Sequence, residues 1–300
     1  MPTTLPVIDA HHHLWDLTRN HYPWLEARPL GPSVAGDLTP IATSYRLEDY
    51  RADIAHWNVV KSVHVECGWD PADPVGETAW LQSVGDVHGF PHGIVAQAAL
   101  DAAGVEVILA GHAALRNCRG IRDIVNWHPD PAKTYVPRPD RLRDPDWLAG
   151  FALLKKYDLS FDLQLYPSQM QDAVSLAHAH PDTRIILNHA GMPVDRDQAG
   201  ISGWRAGMKL LAEAPNVAVK VSGLGMVDWH WTEASIRPFV LETIAVFGTR
   251  RAMFASNFPV DRLCSEFDTL FAAFDSITAE FSIDERRFLF CDNAACWYRL

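Results

Sequence analysis

The sequence predicts a single (β/α)8 barrel over residues 1–300, with its active site at the C-terminal end of the strands. Three observations predict it. Eight short apolar segments alternate with helix-patterned segments, the mark of successive parallel βαβ units. The length of 300 residues suits one such barrel, and no linker or internal repeat divides it. Several strand-like segments end in polar or ionisable residues, where a buried parallel strand should stay apolar.

The first segment, residues 5–8, runs into Asp9-Ala10-His11-His12-His13-Leu14-Trp15-Asp16. On a strand, alternation puts His11 and His13 on one face and His12 on the other. Two imidazoles so placed can take adjacent positions on one metal ion. A tag remnant or surface patch is the plain alternative. The internal position of the run, with Leu14 and Trp15 after it, argues against that. Residues 16–45 are rich in Pro, Gly and polar residues and read as a long loop of the functional kind.

A helix over 47–57 leads to a strand over 60–67, with His64 and Glu66 on one face. Next come a helix over 77–88, a strand over 93–100 and a helix over 103–115. The fourth strand, 118–125, enters Asn126-Trp127-His128 and a proline-rich loop. Asp144 caps a helix over 145–157, with Pro145 in its first turn. A strand over 159–166 puts Asp162, Gln164 and Tyr166 on one face. A helix over 168–180 precedes a strand over 184–190. A helix over 204–214 precedes a strand over 217–224, with Lys220 and Ser222 on one face. A helix over 233–247, a strand over 251–259 and helices over 266–277 and 284–298 close the chain. A doubly wound open sheet is the alternative topology, but no glycine-rich phosphate turn follows the first strand.

Composition bounds the function. Apolar residues make up 48%, enough for a large core. A formal charge of −11 argues against a nucleic-acid-binding surface. No segment is apolar over the length a membrane span needs. Met1-Pro2-Thr3-Thr4 lacks the basic and apolar regions of a secretory leader. The five cysteines (Cys67, Cys118, Cys264, Cys291, Cys296) are scattered and read as reduced packing residues. These features together predict a cytoplasmic protein that takes a small-molecule substrate; they leave open whether it forms a homo-oligomer.

His11, His13, Glu66, Arg122, Gln164, Lys220, Ser222 and Asn257 lie near strand C-termini, and His189 sits at the end of its strand. Singly, each reads as half of a structural ion pair, Glu66 with Lys220 or Asp162 with Arg122, for example. As a set converging on the wetter mouth of a barrel they read as an active site. Trp15, Trp69, Trp127, Trp229 and Trp231 fall just past strand ends, which predicts an aromatic-walled mouth for a ring-shaped polar substrate. Arg122, Gln164, Lys220, Trp15, Trp127 and His128 are the substrate-binding candidates.

Three motifs carry a family resemblance: Asp9-Ala10-His11-His12-His13-Leu14-Trp15-Asp16, His189-Ala190-Gly191-Met192-Pro193, and Asp292-Asn293-Ala294-Ala295-Cys296-Trp297-Tyr298. Their order resembles the amidohydrolase superfamily over nearly the whole chain, most of all its lactone-hydrolase branch. The resemblance implies a (β/α)8 barrel and one divalent metal, zinc first, on His11 and His13. It makes His189 a further ligand or a proton shuttle. The chain departs from the pattern at its last strand, where Ala255-Ser256-Asn257-Phe258-Pro259 offers Asn257 in place of an aspartate that binds the metal and acts as base. Asn257 cannot take a proton, so the base is Glu66, Asp261 or His189, or Asn257 only positions a water or substrate. A metal-free site is the alternative, since some members of the branch work without one. The fifth strand lacks the usual histidine, which argues against a two-metal site.

The resulting expectation is a metal-dependent hydrolase that opens a lactone of the sugar or dicarboxylate type, with Arg122 and Lys220 gripping a carboxylate or oxyanion. The rival readings are a decarboxylase or hydratase of an aromatic or unsaturated acid, and a catalytically degenerate binding barrel.

Overall fold

A computed structural model describes residues 5–300, so Met1 to Thr4, read above for a leader, lie outside the described residues. Strands β1 (Val7–His12), β2 (Val59–Val65), β3 (Gly93–Gln97), β4 (Cys118–Arg122), β5 (Ser160–Leu163), β6 (Ile185–Leu187), β7 (Val217–Val221) and β8 (Ala252–Phe254) form one sheet in sequence order. Every strand pair is parallel. The sheet curls until its first and last strands meet. His13 N–H donates to Phe258 O and Asn257 N–H to His11 O, each at 2.7 Å. The result is the predicted eight-stranded barrel wrapped in helices.

The helices are α1 (Pro23–Glu26), α2 (Leu47–Asp53), α3 (Gly76–His88), α4 (Val105–Ala113), α5 (Pro145–Ala152), α6 (Met170–Ala179), α7 (Gln198–Glu213), α8 (Glu233–Phe247), α9 (Phe267–Ile277), α10 (Ile283–Arg287) and α11 (Asn293–Tyr298). Asp144 caps α5 as expected, accepting from Asp146 N at 2.8 Å and Trp147 N at 3.1 Å. Helix α7 starts earlier than its apolar pattern suggests, because Asp197 accepts from Gly200 N at 2.7 Å and opens the helix there. The expected closing helix is three joined pieces, with a π-helical turn at Phe288–Asp292 between α10 and α11.

The strands are shorter than their apolar runs. β6 stops at Leu187 and β8 at Phe254 because the next residues leave the ladder for the barrel mouth. His189 and Asn257 both take positive φ, 56° and 59°. For residues with a Cβ such conformations are strained and persist where surrounding contacts fix them.

The barrel interior is packed by Ile8, Ala10, Val63, Val65, Val95, Ile186, Ala218, Met253 and Ala255. Ala294 and Tyr298 of α11 join the same cluster and plug its end. Plain alternation from Ile8 and Ala10 would turn His12 inward. The pairing of β1 with β2 breaks between Asp9 and His12 and resets the register. His11 then faces inward against Lys220, and His12 stacks on Tyr50 with ring centroids 4.1 Å apart.

Candidate active site

At the C-terminal end of the strands lies a cavity of about 540 Å³, lined by His13, Trp15, Glu66, Arg122, Gln164, His189 and Asn257 among others. Seven of the residues singled out in the sequence therefore share one space. Their burial and bonding sort them into a floor and a support beneath it.

His13 Nδ1 donates to Val65 O at 2.7 Å, which leaves the Nε2 lone pair of the neutral ring facing Asn257 Oδ1 at 3.4 Å. Asn257 is fixed in that orientation because its Nδ2 donates to Asp261 Oδ1 at 2.8 Å. Two acceptors therefore face each other. His189 Nδ1 shares a hydrogen bond with Ser222 Oγ at 3.0 Å. The ring of His11 lies 4.9 Å from that of His13 and 4.7 Å from that of His189, centroid to centroid. Burial holds all three imidazoles neutral. His13 falls to about 3, while His11 and His189 lie well below their ordinary value, with Lys220 adding to the effect. Burial also pushes the Asp261 carboxyl up to about 7.

Gly223 makes room for His189. Its φ is +60°, and a Cβ there would sit 2.5 Å from His189 Nδ1 and 2.7 Å from Met226 Cε.

The two expected ion pairs form with exchanged partners. Arg122 Nε donates to Glu66 Oε1 at 2.6 Å, and Lys220 Nζ donates to Asp162 Oδ1. The reason is depth. Arg122 and Glu66 stand at the cavity, while Lys220 and Asp162 lie fully buried beneath it, with Tyr298 Oη donating to the same Asp162 oxygen at 2.8 Å. Burial lowers Lys220 to about 8 against the pull of Asp162. Lys220 is bonded to His11 Nδ1 at 3.1 Å and does not line the cavity, which corrects its expected role as a substrate clamp. Arg122 does reach the cavity. Three of its five N–H groups go to Glu66 Oε1, Gln164 Oε1 at 2.8 Å and Glu66 O, and two remain for a ligand. Glu66 is a weak candidate for the base, since Arg122 holds one oxygen and Gly68 N–H donates to the other at 2.9 Å.

His128 and Trp127, expected to bind substrate, lie away from this cavity lining. His128 Nε2 pairs with Asp195 Oδ2 at 3.2 Å and its Nδ1 accepts from Asp130 N at 2.9 Å, in a separate surface cleft. Trp127 does not line the cavity; its backbone N–H donates to Gln169 Oε1. Of the five mouth tryptophans expected, only Trp15 lines it. Trp69 packs on Tyr22 and Trp80, and Trp229 is 52% exposed. The aromatic wall comes instead from Trp24 and Tyr135, in the long loops after β1 and β4. Their contacts are long-range in sequence, and no local pattern marks them.

The donor set fits one metal ion. His11 Nε2 is buried without a hydrogen-bond partner, and His13 Nε2 and Asn257 Oδ1 form a lone-pair encounter that a cation can satisfy. Each Nδ1 is held by a neighbour, the usual support of ligating histidines. An ammonium donating to Nδ1 puts the ring proton on Nε2, so an ion bound at His11 Nε2 would displace one proton from the Lys220–His11 pair. Among the described residues, a second group of ligand-type side chains is more compact: donor atoms of His64, Cys67 and Glu77 lie within 4.8 Å of one another. Cys67 Sγ donates to Glu77 Oε1 at 3.0 Å, so this group is partly self-satisfied.

The amidohydrolase family model matches residues 8–300. The chain belongs to the amidohydrolase family. It is 52% identical over 99% of both chains to the protein y4mH of Sinorhizobium fredii. It is 27% identical to an L-fucono-1,5-lactonase of Burkholderia ambifaria, covering 87% of this chain and 82% of that one. Among solved structures it resembles a Burkholderia multivorans amidohydrolase with bound zinc, at a TM-score of 0.80 and 25% identity, covering 98% of this chain and 99% of that one. No helix among the described residues of this amidohydrolase is long and apolar enough to cross a membrane.

Proposed function

We propose that this amidohydrolase hydrolyses a lactone at the barrel mouth. The observation that carries the reading is the meeting, in one cavity, of two neutral imidazoles and an arginine with two unspent N–H groups. The lactonase among its relatives supports the same reaction class.

The residues divide the work. The free N–H groups of Arg122 donate to the lactone carbonyl oxygen and to the oxyanion that forms when water adds. Gln164 and Glu66 fix the guanidinium plane for that contact. Asn257, anchored on Asp261, offers Oδ1 to orient the attacking water. His189 accepts the proton of that water and returns it to the ring oxygen; burial and the Lys220 charge disfavour the imidazolium, so the ring holds that proton only in passing. The acyl carbon gains the water oxygen, the ring C–O bond breaks, and a hydroxy acid leaves.

His11 and His13 would hold a divalent ion, with Asn257 Oδ1 beside them and His189 closing the set when it does not act as base. Bound there, such an ion polarises a carbonyl and lowers the pKa of a bound water. Mass-spectrometric metal content tests this part. About one zinc per chain, lost in His13→Ala, supports the site. Loss of zinc in His189→Ala makes His189 a ligand; retention of zinc with loss of turnover is the result expected if His189 is the base.

A panel of lactones tests the reaction in ¹⁸O-water, with a pH indicator following acid release. One ¹⁸O in the product carboxylate is the expected result. Release of CO₂ from aromatic acids with no lactone opened would transfer the site to decarboxylation. Ligand binding without turnover of either class would mark a degenerate barrel.

A further inference from the structure

The walls of the cavity differ from its floor. Away from Arg122 and the histidines much of the lining is apolar: Trp24, Val34, Ala35 and Leu38 from the long loop after β1, Ile124 after β4, and Met226 after β7, with Ser33, Thr134 and Tyr135 as the hydroxyl-bearing members. This wall is built in place. Trp24 Nε1 donates to Cys67 O at 2.6 Å, and its ring packs on Gly68, where a Cβ would meet Trp24 Cδ1 at 2.8 Å. Leu38 and Ala35 are buried members of the main core.

Charge at the floor is balanced. Among the described residues Arg122 is the one lysine or arginine lining the cavity, and Glu66 neutralises it at 2.6 Å. Lys220 is spent on Asp162 below. The lining of this site therefore has no second cation for a dicarboxylate, and its polar side chains, Gln164 and Asn257 with the hydroxyls of Ser33, Thr134 and Tyr135, share the space with the apolar wall of Trp24, Val34, Leu38, Ile124 and Met226.

We infer that the site takes a neutral lactone carrying an apolar alkyl or aryl substituent, with the ester over Arg122 and the substituent against the wall of Trp24, Val34 and Leu38. This inference rests on the lactone reading above and narrows it. A carboxylate pressed against the wall would lose its hydration without a partner, and each hydroxyl there would lose its water. Each methylene buried there favours binding about threefold to fourfold. The volume of about 540 Å³ accommodates a six-membered ring with a side chain.

Kinetics on a graded series test it: δ-valerolactone, its methyl, propyl and pentyl derivatives, glucono-δ-lactone, and a δ-lactone bearing a carboxylate. The expected result is a kcat/KM that climbs about threefold per methylene along the alkyl series and exceeds that for the polyhydroxylated and carboxylated rings by more than about a hundredfold. In Trp24→Ala the gradient should flatten; an unchanged gradient overturns the assignment of the wall. A best substrate among the polyhydroxylated or carboxylated lactones overturns the inference while leaving the lactone reading intact. If no lactone is opened, that reading fails, and quenching of tryptophan fluorescence by the matching 2-alkylcyclohexanones decides the ligand class separately. Affinity rising with chain length upholds the apolar wall, and affinity independent of it overturns it.

Discussion

Arg122 is the residue on which most of the chemistry turns, because it is the one lysine or arginine of the described cavity lining and the partner of a buried carboxylate. Replacing it by alanine strands Glu66 and should cost about 3–5 kcal/mol of stability, read by urea unfolding. Arg122→Lys keeps the charge and loses the fork, so kcat/KM should fall at least about tenfold while the fold survives. Gly223→Ala makes a different point. The added methyl would strike His189 and sit at a positive φ, so both stability and catalysis should fall; an unaltered kcat/KM in the folded variant would show that His189 does not act from this position. These site residues are legible in the sequence where a polar group interrupts an apolar strand, as Glu66, Arg122, Gln164 and Asn257 do. Pairing is not legible there, because depth along the barrel axis decides whether Glu66 meets Arg122 or Lys220. Nor does a tryptophan's position past a strand end say which way its ring turns, as Trp69, Trp127 and Trp229 show.

The element that organises the site is the seam between β1 and β8. Asp9 latches it: its carboxylate accepts from Ser256 N at 2.8 Å, Ser256 Oγ at 2.7 Å, Tyr50 Oη at 3.0 Å and His11 N at 3.3 Å. The same contacts sit where the β1 register breaks and His11 turns inward. Asp9→Ala leaves several buried donors unpaired and should destabilise by about 3 kcal/mol or more, with metal affinity falling alongside. Asp9→Asn, which keeps part of the pattern, should lose less of both. Calorimetry and metal titration read these effects; equal, small losses in both variants would remove the latch. The existence of each strand and of the helices beyond α1 is legible in the sequence, since apolar runs and cap residues such as Asp144 are local; the single turn of α1 lies inside the segment that reads as loop. The ends of the strands are not, because His189 and Asn257 leave the ladder through backbone conformations that only the assembled barrel enforces.

At the scale of the whole molecule, the site stores opposing titrations. Burial holds five histidines, His11, His12, His13, His64 and His189, below their ordinary value of 6.5, with His12 and His13 at about 3. Between pH 6.5 and 3 the unfolded chain takes up protons on them that the folded chain refuses, so their contribution is present above pH 6.5 and lost as pH falls. Three buried carboxyls act in the other direction: Asp9 rises to about 6, Asp261 to about 7 and Glu77 to about 8. They withdraw stability as pH climbs from about 4 to 8. With five groups against three, the Tm of the metal-free protein should peak near neutrality and fall from pH 7 to pH 5; a Tm that rises toward pH 5 would contradict the neutral-histidine floor. The chemistry rests on that floor, because the same rings are proposed to hold the ion and move the proton. The most direct test is kcat/KM for lactone opening in His13→Ala and His189→Ala beside the parent, at matched fold by circular dichroism. A loss of about a hundredfold or more in each is the expected result. A loss of less than about tenfold in both would contradict it and place the chemistry elsewhere.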